Sequence, residues 1–451
     1  MSAPDLPTIA DDKPPRRWRD ALAVYLQPRV LVVLFLGFSS GLPLALSGST
    51  LLVWMREAGV DLKTIGLFAL VGTPYTVKFF WAPLVDALHV PILTRLLGRR
   101  RAWLIFSQLL LMVAIVLLAM SDPSKPLGVA FAALFVAAAS ATQDIVIDAF
   151  RVEALPENEQ AAGMASYVAA YRVGMLLSTA GALFLVSGFE ATGLARNAAW
   201  MWGYIAMAAL VVIGMLTALF ATEPESSRAA QASTERAFGR IVRAASGAFT
   251  EFAAYKDAWA ILAFVVLFKF TDAFSGTMTA PFVIDLGFTR NDYAAIVKGL
   301  GLGATLLGGF AGGFLASRYS LVASLWIGGI LQAVANLSFS WLAIVGIDHY
   351  ALALAITAEN FTSAVGTVIF VAYLSALCRN PAHTATQYAL LTALAAIGRT
   401  YLSSGAGYVA AATGWAWFFA ICMLVAIPSF MLLAWLQARG HFETLATPAK
   451  S

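Results

Sequence analysis

The chain has 451 residues, of which 60% are hydrophobic and only 12% charged, with a net charge of +4. A soluble domain carries about 25% charged residues, so this composition excludes a water-solvated enzyme and a nucleic-acid-binding surface and leaves a chain solvated by lipid. Cys378 and Cys422 fall in apolar stretches and make no disulfide framework. The four histidines share no ligand spacing, so neither a metal nor a cofactor is expected.

A membrane-spanning helix needs roughly 20 apolar residues. The first 28 residues are polar, and the apolar run behind them is too long for a cleaved signal segment. Twelve apolar stretches follow, at 29–55, 64–85, 102–120, 127–150, 163–188, 199–221, 257–284, 293–316, 322–344, 350–378, 385–411 and 416–437. They predict an all-α membrane protein of twelve transmembrane helices in two six-helix halves. The expected parts are a tail (1–28), a first bundle (29–221), a linker (222–256), a second bundle (257–437) and a second tail (438–451). Lys and Arg concentrate on one side, in clusters such as Arg16, Arg17, Arg19 and Arg99 to Arg101. The other side holds only Arg56, Lys63, Lys125, Arg196 and Arg290, which predicts that both termini are cytoplasmic. In the linker Phe238, Ile241, Val242, Ala245, Phe249 and Phe252 recur at helical spacing beside Arg236, Arg240 and Arg243. That pattern predicts a basic amphipathic helix on the inner leaflet.

The halves read as related. Ser47-Gly48-Ser49 in span one matches Ser275-Gly276-Thr277 in span seven, and Gln160 stands to Arg172 in span five as Gln387 stands to Arg399 in span eleven. Internal repeats in a six-plus-six layout point to a duplicated transporter whose site lies between the halves.

Charges inside the spans carry the chemistry, because a charge at the bilayer centre costs at least about 2.5–3.5 kcal/mol unless it has somewhere polar to go. Asp86 ends span two and can cap a neighbouring helix, and Gly98-Arg99-Arg100-Arg101 precedes span three. This acid followed by Gly-Arg-Arg-Arg resembles the signature loop of the major facilitator superfamily and suggests an inner gate of Asp86, Arg99, Arg100 and Arg101. Asp144 and Asp148 lie four apart on one face of span four, which makes them candidate proton carriers. Glu359 in span ten has no partner on its own helix and is the next candidate. Arg172 and Arg399 sit on repeat-related helices beside Gly174 and Gly398, and guanidinium binds carboxylates bidentately. Lys269, Asp272, Gln143, Tyr171, Asn360 and Lys78 complete the expected cargo contacts, and Lys269 and Asp272, three apart, can also neutralise each other. Tyr75 and Tyr167 are further rings on which a sugar could stack. Lys298 lies near enough to the outer surface to snorkel. The glycines of span eight (Gly299, Gly301, Gly303, Gly308, Gly309, Gly312 and Gly313) read as helix-packing faces, not as a phosphate loop.

The segments Leu36-Gly37-Phe38-Ser39-Ser40-Gly41-Leu42-Pro43-Leu44-Ala45-Leu46, Asp61-Leu62-Lys63-Thr64-Ile65-Gly66, Gln143-Asp144-Ile145-Val146-Ile147-Asp148-Ala149, Tyr171-Arg172-Val173-Gly174-Met175, Asp272-Ala273-Phe274 and Ala385-Thr386-Gln387-Tyr388-Ala389-Leu390-Leu391 resemble those of AmpG-type muropeptide permeases. The resemblance runs along almost the whole chain. It implies a major-facilitator fold in a bacterial inner membrane and a secondary carrier, not an enzyme, that works as a monomer. It further implies import of GlcNAc–anhydro-MurNAc-peptides driven by the proton motive force, for peptidoglycan recycling and induction of AmpC β-lactamase. The rival readings are a carrier of another anionic cargo, such as acetyl-CoA or a siderophore, and a membrane-embedded enzyme or sensor of peptidoglycan fragments.

Overall fold

A computed structural model describes residues 23–224, 257–377 and 384–446. Every regular element among them is helical. Ten helices are long and apolar enough to cross a membrane. In chain order they are span one (Pro28–Glu57), three (Arg99–Ala119), four (Pro126–Ala154), five (Ala162–Ala191), six (Arg196–Phe220), seven (Ala258–Asp285), eight (Arg290–Arg318), nine (Leu321–Val345), ten (His349–Leu377) and twelve (Trp415–Ala438). The expected amphipathic helix of the linker lies outside the described residues, as do most of the first tail and the end of the last.

The stretches expected as spans two and eleven are helical but interrupted. The second breaks into Leu62–Leu67, Thr73–Val77 and Ala82–Ala87, with 3-10 turns at Phe68–Gly72 and Lys78–Phe80. Pro74 and Pro83 sit in the first turns of two of these pieces, where a missing N–H is tolerated but the preceding helix cannot continue. The eleventh breaks at Leu402–Gly405 between Thr384–Tyr401 and Ala406–Thr413. There Ser403 and Ser404 turn their hydroxyls back onto the Arg399 and Tyr401 carbonyls, which competes with the helical ladder. Span one likewise breaks at Ser47-Gly48. Span four runs on to Ala154 instead of ending near 150.

Helices touch where glycine removes the side chain. A Cβ on Gly41 would lie 2.1 Å from the Tyr171 carbonyl oxygen, and one on Gly174 would lie 2.4 Å from that of Phe38. Spans one and five therefore pack backbone to backbone. Gly398 meets Val266 in the same way, with 3.0 Å to its carbonyl oxygen, so span eleven stands to span seven as span five stands to span one. Gly308 and Gly312 press on Phe361 and Val365 of span ten, whereas Gly303, Gly309 and Gly313 face open space. Only part of the glycine run is thus a packing face.

The halves are joined at one face and separate at the other. A single apolar core takes in Trp54, Trp200 and Tyr204 of the first half together with Phe282, Phe339 and Phe419 of the second. Toward the arginine-rich face the core divides, with Leu104, Ile147 and Phe150 on one side and Phe264, Tyr373 and Leu374 on the other. Ion pairs close the joined face. Arg290, only 7% exposed, holds Glu57 through Nε at 2.9 Å and Nη2 at 2.7 Å, and Glu190 through Nη1 at 3.0 Å. Arg56 pairs with Asp285 beside it. The broken segments meet here too: a Cβ on Gly407 would fall 1.9 Å from the Leu62 carbonyl oxygen.

The Gly41→Ala variant should melt several degrees lower in detergent, because overpacking a tight crossing costs about 1–3 kcal/mol. Gly309→Ala, facing open space, should melt within about a degree of the parent. Equal melting of the two variants would show that the crossing has slack.

Candidate functional site

Between the halves lies a cavity of about 540 Å³. Both ends of the sequence repeat reach it: Ser47, Gly48 and Ser49 from span one, and Gly276 and Thr277 from span seven. Its charged lining is Arg172 from span five, Lys298 from span eight, Glu359 from span ten and Arg399 from the eleventh segment, with Tyr75 and Asn360 beside them. Two of its walls depart from α-geometry. Leu177–Gly181 in span five and Tyr293–Leu300 in span eight are π-helical turns, and they touch each other across the halves. Such turns leave backbone groups unevenly paired and recur where helices carry function.

Arg172 and Arg399 are both exposed within the protein, and among the described residues neither has an ion-pair partner. Both act electrostatically on Tyr171, so they flank one side of the same space. Two guanidiniums with no counter-ion among the described residues can together hold an anion such as a carboxylate. Lys298 stands 5.3 Å over the Tyr293 ring and faces the same cavity. It is the lining cation that spacing alone assigned to the surface. Its place on a π-turn next to span ten is what brings it inward, and no local pattern records that.

Asp144 belongs to a second cluster inside the first half. Ser40 Oγ donates to Asp144 Oδ1 at 2.6 Å and lies 2.9 Å from the Tyr167 hydroxyl. Tyr167 stacks on Tyr171 with centroids 6.1 Å apart, and Lys78 lies within electrostatic range of Asp144. The amide of neighbouring Gln143 is buried with no protein partner among the described residues. These groups form a polar string from the Asp144 carboxylate to the ring that Arg172 and Arg399 flank. Asp148, one turn on, is exposed, with its carboxylate 3.8 Å from Arg151, and lies within electrostatic range of Asp144.

Lys269 and Asp272 lie outside the cavity lining and hold each other at 2.7 Å. Ser363 donates to Asp272 at 2.7 Å, and Lys269 donates to Thr367 at 2.9 Å. This closed network joins spans seven and ten. Asn360 bridges spans eight and ten, donating to the Ile356 carbonyl at 3.0 Å and accepting from Thr305 at 3.2 Å.

At the arginine-rich face, Arg99, Arg100 and Arg101 knit the first half together. Arg100 pairs with Glu153 of span four at 2.5 Å, and Arg101 Nε donates to the Ala218 carbonyl at the end of span six at 2.9 Å. Three cations at a helix N-terminus oppose the helix dipole. Glu223 relieves that by accepting from the Arg100 and Arg101 backbone N–H groups at 2.8 and 3.1 Å. Gly98 makes room for it, with φ +91 and no Cβ against the Glu223 side chain. Asp86 falls in the helix Ala82–Ala87, and its side chain lies outside the described residues. The sequence pattern singled out the arginines but not Glu153 or Glu223, because those partners are remote in the chain.

Residues 33–403 match the family described as the Major Facilitator Superfamily. The anhydromuropeptide permease of Escherichia coli (strain K12) is 40% identical over 414 residues, covering 91% of this chain and 80% of the relative. A putative transporter, AmpG 4, of Rickettsia conorii is 34% identical and covers 92% of this chain and 98% of the relative. Among solved structures, a D-xylose-proton symporter superposes with a TM-score of 0.65 at 12% identity, covering 90% of this chain and 97% of the symporter. A POT family transporter in complex with 5-aminolevulinic acid gives 0.68 at 13%, covering 93% and 96%. At such identities the structural likeness speaks for the fold alone.

Removing one partner of an enclosed ion pair leaves the other uncompensated and costs about 3–5 kcal/mol. Lys269→Met should therefore destabilise the purified protein, and Lys269→Met with Asp272→Asn should recover most of the loss. Arg172→Met and Arg399→Met, removing cations with no partner, should leave melting almost unchanged. Thermal melts of the five proteins decide the matter.

Proposed function

This chain belongs to the major facilitator superfamily and, within it, to the AmpG-type permeases, and on that premise we propose that it imports anhydro-muropeptides from the periplasm to the cytoplasm by alternating access, driven by the proton motive force. It is a multi-pass membrane carrier, not an enzyme. The observation that carries the cargo reading is the cavity between the halves, lined by Arg172 and Arg399, which have no ion-pair partner among the described residues. Muropeptides are sugar-peptides with several carboxylates, and this receptor matches a carboxylate. The kinship with the permease of Escherichia coli supplies the cargo class. The imported products would feed peptidoglycan recycling and the signal that induces β-lactamase. One chain holds both halves and the whole cavity, in keeping with a monomeric carrier.

In this reading cargo enters from the periplasm when the Arg290–Glu57–Glu190 lock is open and leaves to the cytoplasm when it is closed. The distribution of Lys and Arg makes the joined face periplasmic, so the arrangement described above corresponds to the state closed to the periplasm. Asp144 takes the coupling proton, helped by Ser40 and facing Lys78, and Glu359 is the second titrating group. The Tyr167–Tyr171 stack links the proton site to the guanidiniums that hold the cargo. Protonating Asp144 alters the field at the cavity while cargo neutralises the guanidiniums, which is the coupling an importer needs. Arg99, Arg100, Arg101 and Asp86 brace the cytoplasmic end of the first half, so that it moves as one body during gating.

Proteoliposomes loaded with the purified protein should accumulate radiolabelled muropeptide faster when the outside is acidic, and Asp144→Asn should abolish that dependence on the gradient. Uptake that ignores an imposed pH gradient would refute proton coupling. Arg399→Ala should raise the KM for muropeptide roughly tenfold or more, the loss of one charge-assisted bidentate contact. An unchanged KM would remove the guanidinium from the cargo site.

A further inference from the structure

Carboxylate capture by the two arginines leaves one side of the cavity unused. Glu359 and Lys298 both line it, from spans ten and eight. They lie within electrostatic range of each other, yet no ion pair joins them. Among the described residues the Glu359 carboxylate accepts no side-chain hydrogen bond. The groups around it are already engaged. Lys269 is held by Asp272 and Thr367, and Asp272 adds a second negative charge from span seven. The neighbouring amide of Asn360 is taken by Ile356 and Thr305. Arg172 and Arg399 face the same cavity from spans five and eleven, grouped about Tyr171.

A carboxylate and an ammonium that face one space without touching are each short of a counter-charge, and desolvating either without one is costly. The ligand that satisfies both carries the opposite pair, an ammonium and a carboxylate on one end group. We infer that the wall formed by spans eight and ten is a subsite for a zwitterionic amino-acid end of the cargo peptide, with Glu359 taking its ammonium and Lys298 its neighbouring carboxylate. Arg172 and Arg399 then hold a separate carboxylate on the far side. The inference rests on the carrier reading above and sharpens it in two respects. It makes a free amino group on the peptide a requirement for tight binding. It also divides labour between the acids, because a proton on Glu359 and a cargo ammonium on Glu359 exclude each other. With such a cargo aboard, Asp144 alone is left to carry the proton.

The test uses the full-length protein in proteoliposomes and two muropeptides that differ only in whether the peptide's amino group is free or acetylated. In the parent protein, acetylation should raise KM roughly tenfold. In Glu359→Gln the two cargoes should be taken up with KM values within about twofold of each other. Lys298→Met should likewise erase the preference for a free over an amidated neighbouring carboxylate. Arg399→Ala should weaken both members of each cargo pair and keep the ratios. Each ratio is measured on one protein preparation, so a partly misfolded variant does not distort it, and Glu359→Asp should retain the preference for the free amine. Equal uptake of free and acetylated cargo by the parent, or full discrimination by Glu359→Gln, overturns the subsite while leaving the carrier reading in place. If neither muropeptide enters parent vesicles, the carrier reading falls and the subsite falls with it.

Discussion

A charge carried into a bilayer must be neutralised or must face water, and the interior of this protein is organised by that constraint. Three solutions occur side by side. Lys269 and Asp272 neutralise each other and finish the arrangement with Ser363 and Thr367. Asp144 leans on a serine hydroxyl, with a lysine in electrostatic range. Arg172, Arg399, Lys298 and Glu359 take neither route and instead share a cavity. The first solution is finished without a ligand, whereas the third is complete only when something polar arrives. On the proposed reading this difference separates structural charges from functional ones, although all of them look alike in the sequence.

The cavity exists because the two halves meet at one face only. There the buried, bidentate Arg290–Glu57 pair joins a single apolar core that crosses from Trp54 and Trp200 to Phe282 and Phe339. An enclosed pair of this kind is costly to break one partner at a time, yet it contributes little over an apolar replacement. It therefore suits a contact that must be specific in one state and separable in another. The glycine contact between Gly407 and Leu62 works in the same sense. Backbones that close approach only when the faces are in register, and nothing interdigitates to hold them when they part.

Much of the fold was legible in the sequence because hydrophobic length and charge asymmetry are local properties. The site was legible in part. Arg172 and Arg399 stood out because a repeat marks them, and both line the cavity. Lys298 did not, since distance from a helix end measures depth but not direction, and a π-turn swings it inward. The interruptions of the second and eleventh stretches were hidden because an apolar run measures length, not the prolines and serines within it that break the helical ladder. Glu153 and Glu223, which satisfy the arginine triad, lie far along the chain from it, and a one-dimensional pattern cannot pair them. The histidine contacts are equally remote in the chain: His441 lies 3.1 Å from the Tyr373 hydroxyl and His349 3.0 Å from Asp292.

Duplication accounts for the frame and not for the chemistry. Each half has a glycine crossing next to its arginine, Gly174 on Phe38 and Gly398 on Val266, although at the spacing that relates the arginines Gly174 corresponds to Tyr401 and Gly398 to Tyr171. The acids do not recur. At the spacing that relates Arg172 to Arg399, Asp144 corresponds to Val371 and Glu359 to Ala132, while Lys298 corresponds to Val71. Each half has thus kept the helix packing and one guanidinium and has acquired its own carboxylate at its own depth. A symmetric pair of cations suits a cargo group held on the axis between the halves. Unmatched acids suit tasks that differ between them, one carboxylate enclosed by hydroxyls where a proton can be kept, and the other open to the cavity where a ligand can reach it. An exchange of equivalent parts would give the two halves the same affinity for the same ion. In the transport cycle proposed above, the departure from symmetry would let one carboxylate keep a proton while the other meets the cargo.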